Sequence, residues 1–197
     1  MLILLGSFLD MFDGLVARKL NVEGNFGAEL DSLADMVNFG IAPAFLYWFH
    51  VLDQSWMDYL FIAFLPVMGA WRLAKFNIAD ESSYYFSGLA IPSAGLFVAF
   101  AVYAFTDHTG MAGILTNEWL KITLPVVIGI LMVTPVQMFS LKGIRSKPRI
   151  EKFILAALVV IGALIFLMFQ FSGIPLIVLS YILLSVLNSF IVKIGKQ

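Results

Sequence analysis

The stretch Asp10-Met11-Phe12-Asp13-Gly14-Leu15-Val16-Ala17-Arg18, followed by Phe26-Gly27-Ala28-Glu29-Leu30-Asp31-Ser32-Leu33-Ala34-Asp35, sets four aspartates into an otherwise apolar chain. Their successive spacings are 3, 18 and 4 residues. On a helix the positions i, i+3, i+4 and i+7 lie on one face, so Asp10, Asp13, Gly14 and Ala17 share one side of a first helix. Gly27, Asp31 and Asp35 recur every four residues and share one side of a second. Small residues between the carboxylates let a neighbouring helix or a ligand approach the backbone closely. Carboxylates at membrane depth are costly and mark a functional site by default. Two antiparallel helices with a short connection can aim these faces at each other and surround a small volume with hard oxygen ligands.

Carboxylates without imidazole or thiolate favour Mg²⁺, Mn²⁺ or Ca²⁺. Two divalent ions can share four carboxylates, and two-metal sites suit displacement at phosphorus. Arg18, beside Ala17, is placed to grip a phosphate bidentately. A divalent-cation transporter also uses buried aspartates, but such proteins place them near the midplane, often in inverted repeats. The second half has no matching acidic pair: from Ile122 to Leu141 and from Phe153 to Val192 there is no Asp or Glu.

The surrounding composition sets the class. Of 197 residues, 61% are hydrophobic and 13% charged, against about 25% charged in soluble domains; mean hydropathy is +0.95. The chain reads as an all-α polytopic membrane bundle, a single transmembrane domain over 1–197. It contains no cysteine, which excludes a disulfide framework, thiolate catalysis and a cysteine zinc site. There is no basic arm or zinc-finger spacing, so nucleic acid is not an expected partner.

Apolar runs predict seven membrane helices near 1–18, 30–50, 56–76, 88–106, 119–140, 152–171 and 174–193, most close to the ~20 residues a span requires. Gly173-Ile174-Pro175 reads as a tight hairpin between the last two. Only Met1 to Leu9 precede Asp10, roughly 13 Å of helix. They carry neither a basic n-region nor a cleavage site, so the start reads as a membrane helix truncated at its N-terminal end. Alternating the segments puts eleven of the twelve Lys and Arg residues on one side, Lys121 being the exception. That side, with the basic loop 140–152 and all four aspartates, is then cytoplasmic. The loop's Lys142, Arg145, Lys147, Arg149 and Lys152 suit anionic headgroups. Trp48, Trp56, Trp71 and Trp119 fall near helix ends, as an interfacial belt does, and His50 and His108 fall on the outer side.

The pattern Asp10-x2-Asp13-Gly14-x2-Ala17-Arg18-x8-Gly27-x3-Asp31-x3-Asp35 resembles the signature of the CDP-alcohol phosphotransferases, eight fixed positions in 26 residues, here over 8–36. The resemblance implies an integral membrane enzyme that attacks a CDP-linked lipid with an alcohol and releases CMP. It implies two divalent cations, Mg²⁺ or Mn²⁺, held by Asp10, Asp13, Asp31 and Asp35, with Asp35 also the base for the attacking hydroxyl. It assigns Gly14, Ala17, Arg18 and Gly27 to the CDP-lipid. A second layer, Phe39-Gly40-Ile41-Ala42-Pro43-Ala44, Arg72-Leu73-Ala74-Lys75-Phe76-Asn77 and Phe86-Ser87-Gly88-Leu89-Ala90-Ile91-Pro92, resembles the phosphatidylserine-synthase branch. That implies CDP-diacylglycerol and L-serine as substrates, membrane lipid as surroundings and a homodimer in the cell (inner) membrane. The carboxylate of serine needs a cation, for which Arg72 and Lys75 are the candidates, with Asn77 and Asn38 as polar contacts. The positive-inside rule alone also supplies basic residues at that helix end. Other acceptors with the same chemistry are glycerol phosphate, inositol phosphate, or serine with an archaeal CDP-lipid.

Overall fold

In the computed structural model the described residues are 2–20, 24–53, 55–78, 86–106, 118–138 and 149–194. Among them lie helices α1 (Leu2–Leu20), α2 (Asn25–Asp35), α3 (Ala42–His50), α4 (Trp56–Asn77), α5 (Ile91–Thr106), α6 (Glu118–Val133), α7 (Arg149–Phe169) and α8 (Ile174–Ile194). Helices α2 and α3 are one continuous rod, joined by a wide π turn at Met36–Ile41. The cause of that turn is in the sequence. Pro43 has no N–H to offer the Phe39 carbonyl four residues back, and its ring crowds that oxygen. The turn opens by one residue, so that the Ala42 N–H reaches Val37 O instead.

Helix α5 is the hub. Ala94, Gly95, Phe97, Val98, Ala101, Val102 and Ala104 are buried along it. It packs against α3 and the π turn, and against α8. Contact with the π turn is backbone to backbone: a Cβ on Gly95 would stand 2.5 Å from Phe39 O and 2.7 Å from Phe39 Cα. Only glycine fits there. Helix α4 lies along α6, and α7 pairs with α8 through the 3₁₀ turn Gln170–Gly173. The Tyr47 hydroxyl ties α3 to α6 by donating to Lys121 O at 2.9 Å. At the head of α4, Asp58 accepts from Ser55 N at 2.7 Å, closing a capping box.

The sequence reading differs in three places. Helix α6 stops at Val133, not near 140, because Pro135 has no N–H to continue the helical ladder and disfavours helical backbone in the residue before it. Beyond it, β2 (Gln137–Met138) pairs antiparallel with β1 (Phe86–Ser87), a two-residue ladder that apolar periodicity cannot reveal. Gly88 turns the chain out of β1 at φ +78, against the Met132 carbonyl. Third, the seven expected membrane segments correspond to seven helical rods among the described residues, but only the stretches 58–77 and 152–188 are long and apolar enough to cross a membrane. Helices α5 and α6 have 16 residues each, and α1 and α2 carry the acids. The stretch 152–188 runs through the 3₁₀ turn and so includes both α7 and α8. The hairpin expected at Gly173-Ile174-Pro175 is present.

The outside is apolar. On α7, Leu167 is 78% exposed, Phe153 75% and Val159 69%. A face of that kind asks for lipid or a partner. Trp56, Trp71 and Trp119 are exposed, as belt residues are. The loop residues Lys142, Arg145 and Lys147, with His108 and Lys196, lie outside the described residues.

Candidate active site

Asp10, Asp13, Gly14, Ala17 and Arg18 lie on the backbone of α1, and their side chains lie outside the described residues. Near its start α1 docks on the π turn. Asn38 Nδ2 donates to Ile3 O at 3.4 Å, and the Asn38 amide fills the space over Gly6 that any Cβ would need. These contacts fix the start of α1 against the π turn that follows Asp35.

On α2 the acid face is open. Asp31 is exposed, and nothing among the described residues lies within 4 Å of where a Gly27 Cβ would point. Asp35 differs: it is half-buried, with its Oδ1 shielded from solvent, at the junction with the π turn. Among the described side chains no group of three or more His, Cys, Asp or Glu lies together. Two of the four expected ligands, Asp10 and Asp13, fall outside that description.

Arg72 is the buried cation of the site, 9% exposed within α4. Its guanidinium lies in electrostatic range of Asp35 on α2 and Tyr181 on α8. It also lies over the Phe76 ring, 6.0 Å from the centroid. Its Nε is shielded from solvent and has no hydrogen-bond partner among the described residues. A guanidinium removed from water is stable only against an anion, and the site supplies Asp35. Asn77, five residues beyond Arg72, binds α2: its Nδ2 donates to Ser32 Oγ at 3.1 Å and to Glu29 Oε1 at 3.5 Å. Asn38, a candidate substrate contact by sequence, holds α1 in the structure. Lys75 is exposed.

One group of residues escaped the sequence reading. On α8, Ser185 is 1% and Asn188 8% exposed, and a side-chain hydrogen bond joins Tyr181 to Ser185. The signal was present: 181, 185 and 188 are steps of four and three on one face of an apolar helix, where polar residues serve helix association or a site.

Residues 1–134 match the family described as CDP-alcohol phosphatidyltransferase. The CDP-diacylglycerol–serine O-phosphatidyltransferase of Helicobacter pylori (strain ATCC 700392 / 26695) is 34% identical over 147 residues, 73% of this chain and 61% of that protein. The Bacillus subtilis (strain 168) protein of the same name is 44% identical over 92 residues, 46% of this chain and 52% of that one. The archaetidylserine synthase of Methanothermobacter thermautotrophicus (strain Delta H) is 36% identical over 101 residues, 50% of this chain and 43% of that protein. The chain thus spans about three fifths or less of the length of these curated relatives.

Proposed function

The chain belongs to the CDP-alcohol phosphatidyltransferase family, and on that premise we propose that it moves a phosphatidyl group from CDP-diacylglycerol to the hydroxyl of L-serine, giving phosphatidylserine and CMP. The observation that carries this reading is Arg72, a buried cation on α4 in electrostatic range of Asp35. An acceptor with its own carboxylate is the one that gains most from it. Two of the three relatives described above act, by name, on serine with CDP-diacylglycerol.

The proposed chemistry follows from the residues. L-Serine lies with its carboxylate toward Arg72 and its hydroxyl toward Asp35. Asp35 takes the hydroxyl proton as the serine oxygen bonds to the lipid-side phosphorus. The bond from that phosphorus to the CMP oxygen breaks, and CMP leaves with the electron pair. Arg18 holds phosphate, and Gly14, Ala17 and Gly27 leave backbone room for the nucleotide. The family generally depends on divalent cations, and the donor set fits them: Asp10, Asp13, Asp31 and Asp35 offer only carboxylate oxygens, suited to two Mg²⁺ or Mn²⁺ ions. Such ions supply charge neutralisation of the diphosphate and of the leaving group. Positioning and electrostatics carry most of phosphoryl transfer, so one base suffices.

The family is membrane-bound, and the apolar exterior and the stretches 58–77 and 152–188 agree with that. The finer reading is a single domain over 1–197 with seven crossings, a homodimer in the cell membrane, its aspartates at the cytoplasmic face as the Lys and Arg distribution requires. The test is CMP release by the chain in vesicles containing CDP-diacylglycerol. Release that needs L-serine and Mg²⁺ or Mn²⁺ is expected. Release driven by glycerol phosphate or inositol phosphate in place of serine overturns the acceptor, and cation flux without any CDP-lipid overturns the enzyme reading.

A further inference from the structure

We infer that Asn77 is a positioning residue: its side chain latches α4 to α2 and so fixes the tilt of the helix that carries Asp31. The sequence pattern offers Asn77 to the acceptor alcohol; the structure gives it to α2. In the function proposed above, on which this rests, Asp31 is a metal ligand, and the latch serves the metal site instead of the acceptor.

Little else holds α2. From Phe26 to Ala34 every residue is exposed except Ser32. Among the described residues its extensive packing is on the π turn that continues it, and it has none of that extent on α4. Helix α1 is docked on the π turn, through Ile3 and Asn38. Helix α2 is thus a cantilever rooted at Met36, and the Asn77 amide reaches it from the side. Asn77 Nδ2 donates to Ser32 Oγ at 3.1 Å and to Glu29 Oε1 at 3.5 Å, and the Ser32 hydroxyl faces Asn77 Oδ1 at 3.4 Å. Positions 29 and 32 are neighbours on one helix face, so one amide grips a whole turn, and Asp31 is part of that turn.

The distances show why a latch is needed. Asp31 lies four residues from Asp35, roughly 6 Å along the axis, so a tilt of about 10° at the π turn moves it by roughly 1 Å. Ligand distances in a metal site hold to about 0.2 Å, and a tilt of that size takes Asp31 out of a shared ligand set. The same tilt away from α4 stretches the 3.1 Å contact to Ser32 past hydrogen-bond reach. The latch therefore opposes displacements of the size that matters to the aspartates.

The experiment uses the full chain in detergent, without nucleotide or acceptor, and follows Mn²⁺ binding by loss of the free-ion electron paramagnetic resonance signal. Wild type, Asn77→Ala, Ser32→Ala and the double variant are compared, with melting midpoints and the KM for L-serine measured on the same samples. The Kd for Mn²⁺ should rise about fivefold in Asn77→Ala, the size of one lost hydrogen bond. It should rise about threefold in Ser32→Ala, where Glu29 still accepts from the amide. The double variant should bind no more weakly than Asn77→Ala, because both changes cut one link. An unchanged Mn²⁺ Kd with a lower melting midpoint marks a merely structural role and overturns the inference. A raised KM for L-serine with an unchanged Mn²⁺ Kd returns Asn77 to the acceptor and overturns it as well. So do additive losses in the double variant, or a wild-type chain that binds no Mn²⁺. The expected Mn²⁺ shifts in a chain that releases no CMP with L-serine support the latch and overturn the proposed function alone.

Discussion

The α2–α3 rod and the α7–α8 hairpin are built from nearly the same apolar alphabet, yet they treat polarity in opposite ways. The rod places Asp31 and Asp35 on its outer turns and then widens into a π turn wedged against Gly95. Its polar groups are tied to neighbours: Ser32 to Asn77, Asn38 to Ile3. The hairpin shows large apolar side chains to its surroundings on α7 and keeps Tyr181, Ser185 and Asn188 on one face of α8. The difference teaches where fit matters. A surface whose partner is lipid asks for apolarity and length, whereas a surface that holds reacting groups asks for one geometry.

The substitution that should break this contrast most sharply is Asp35→Asn. It keeps the shape and removes the base, so kcat for CMP release should fall by about 10²–10⁴-fold, and the melting midpoint should fall as well, because buried Arg72 loses its balancing anion. Gly95→Val comes next, and acts from a distance. Its side chain would collide with the Phe39 backbone, costing about 1–3 kcal/mol of stability. It should also lower activity by shifting the π turn that follows Asp35, read as a lower melting midpoint in detergent together with lost CMP release. Arg72→Lys keeps the charge and loses the planar fork, so the KM for L-serine should rise about tenfold, or ~1.4 kcal/mol. Asn77→Ala removes the amide that joins α4 to Ser32 and Glu29, and should cost about 1 kcal/mol of stability. At the far end of the scale, Leu167→Ala on the exposed side of α7 should stay within about 0.5 kcal/mol. A large loss there would mean that this face is packed against a second protein surface.

Most helical rods were legible in the sequence, because apolar run length and helical spacing report directly on helix lengths and faces. The rotation of Asp35 relative to the core was not. It depends on what Pro43 does to Phe39 four residues back, and Gly95, the residue that makes room for the result, is 56 positions away from Phe39. Arg72 was read as a candidate cation from its place at a helix end, where topology alone also accounts for a basic residue. Its burial is a tertiary fact, arising as α4 packs on α6, α3 and the π turn. The polar face of α8 was visible as a period of four and three. It had no apparent purpose until Tyr181 was found in range of Arg72.

The π turn has a bearing on which sequence changes this chain can accept. A residue in an α-helix advances about 100° around the axis, and the turn at Met36–Ile41 holds one residue more than an α-helical path needs. Deleting a single codon within it would leave Pro43 in place, so the shortened rod would close against a ring that crowds the carbonyl four residues back. With α3 held in the core, Asp31 and Asp35 would turn by about 100° relative to it. The segment therefore behaves as a phase lock between chemistry and packing: substitutions that keep its length are open to drift, while insertions and deletions of one residue are closed to it.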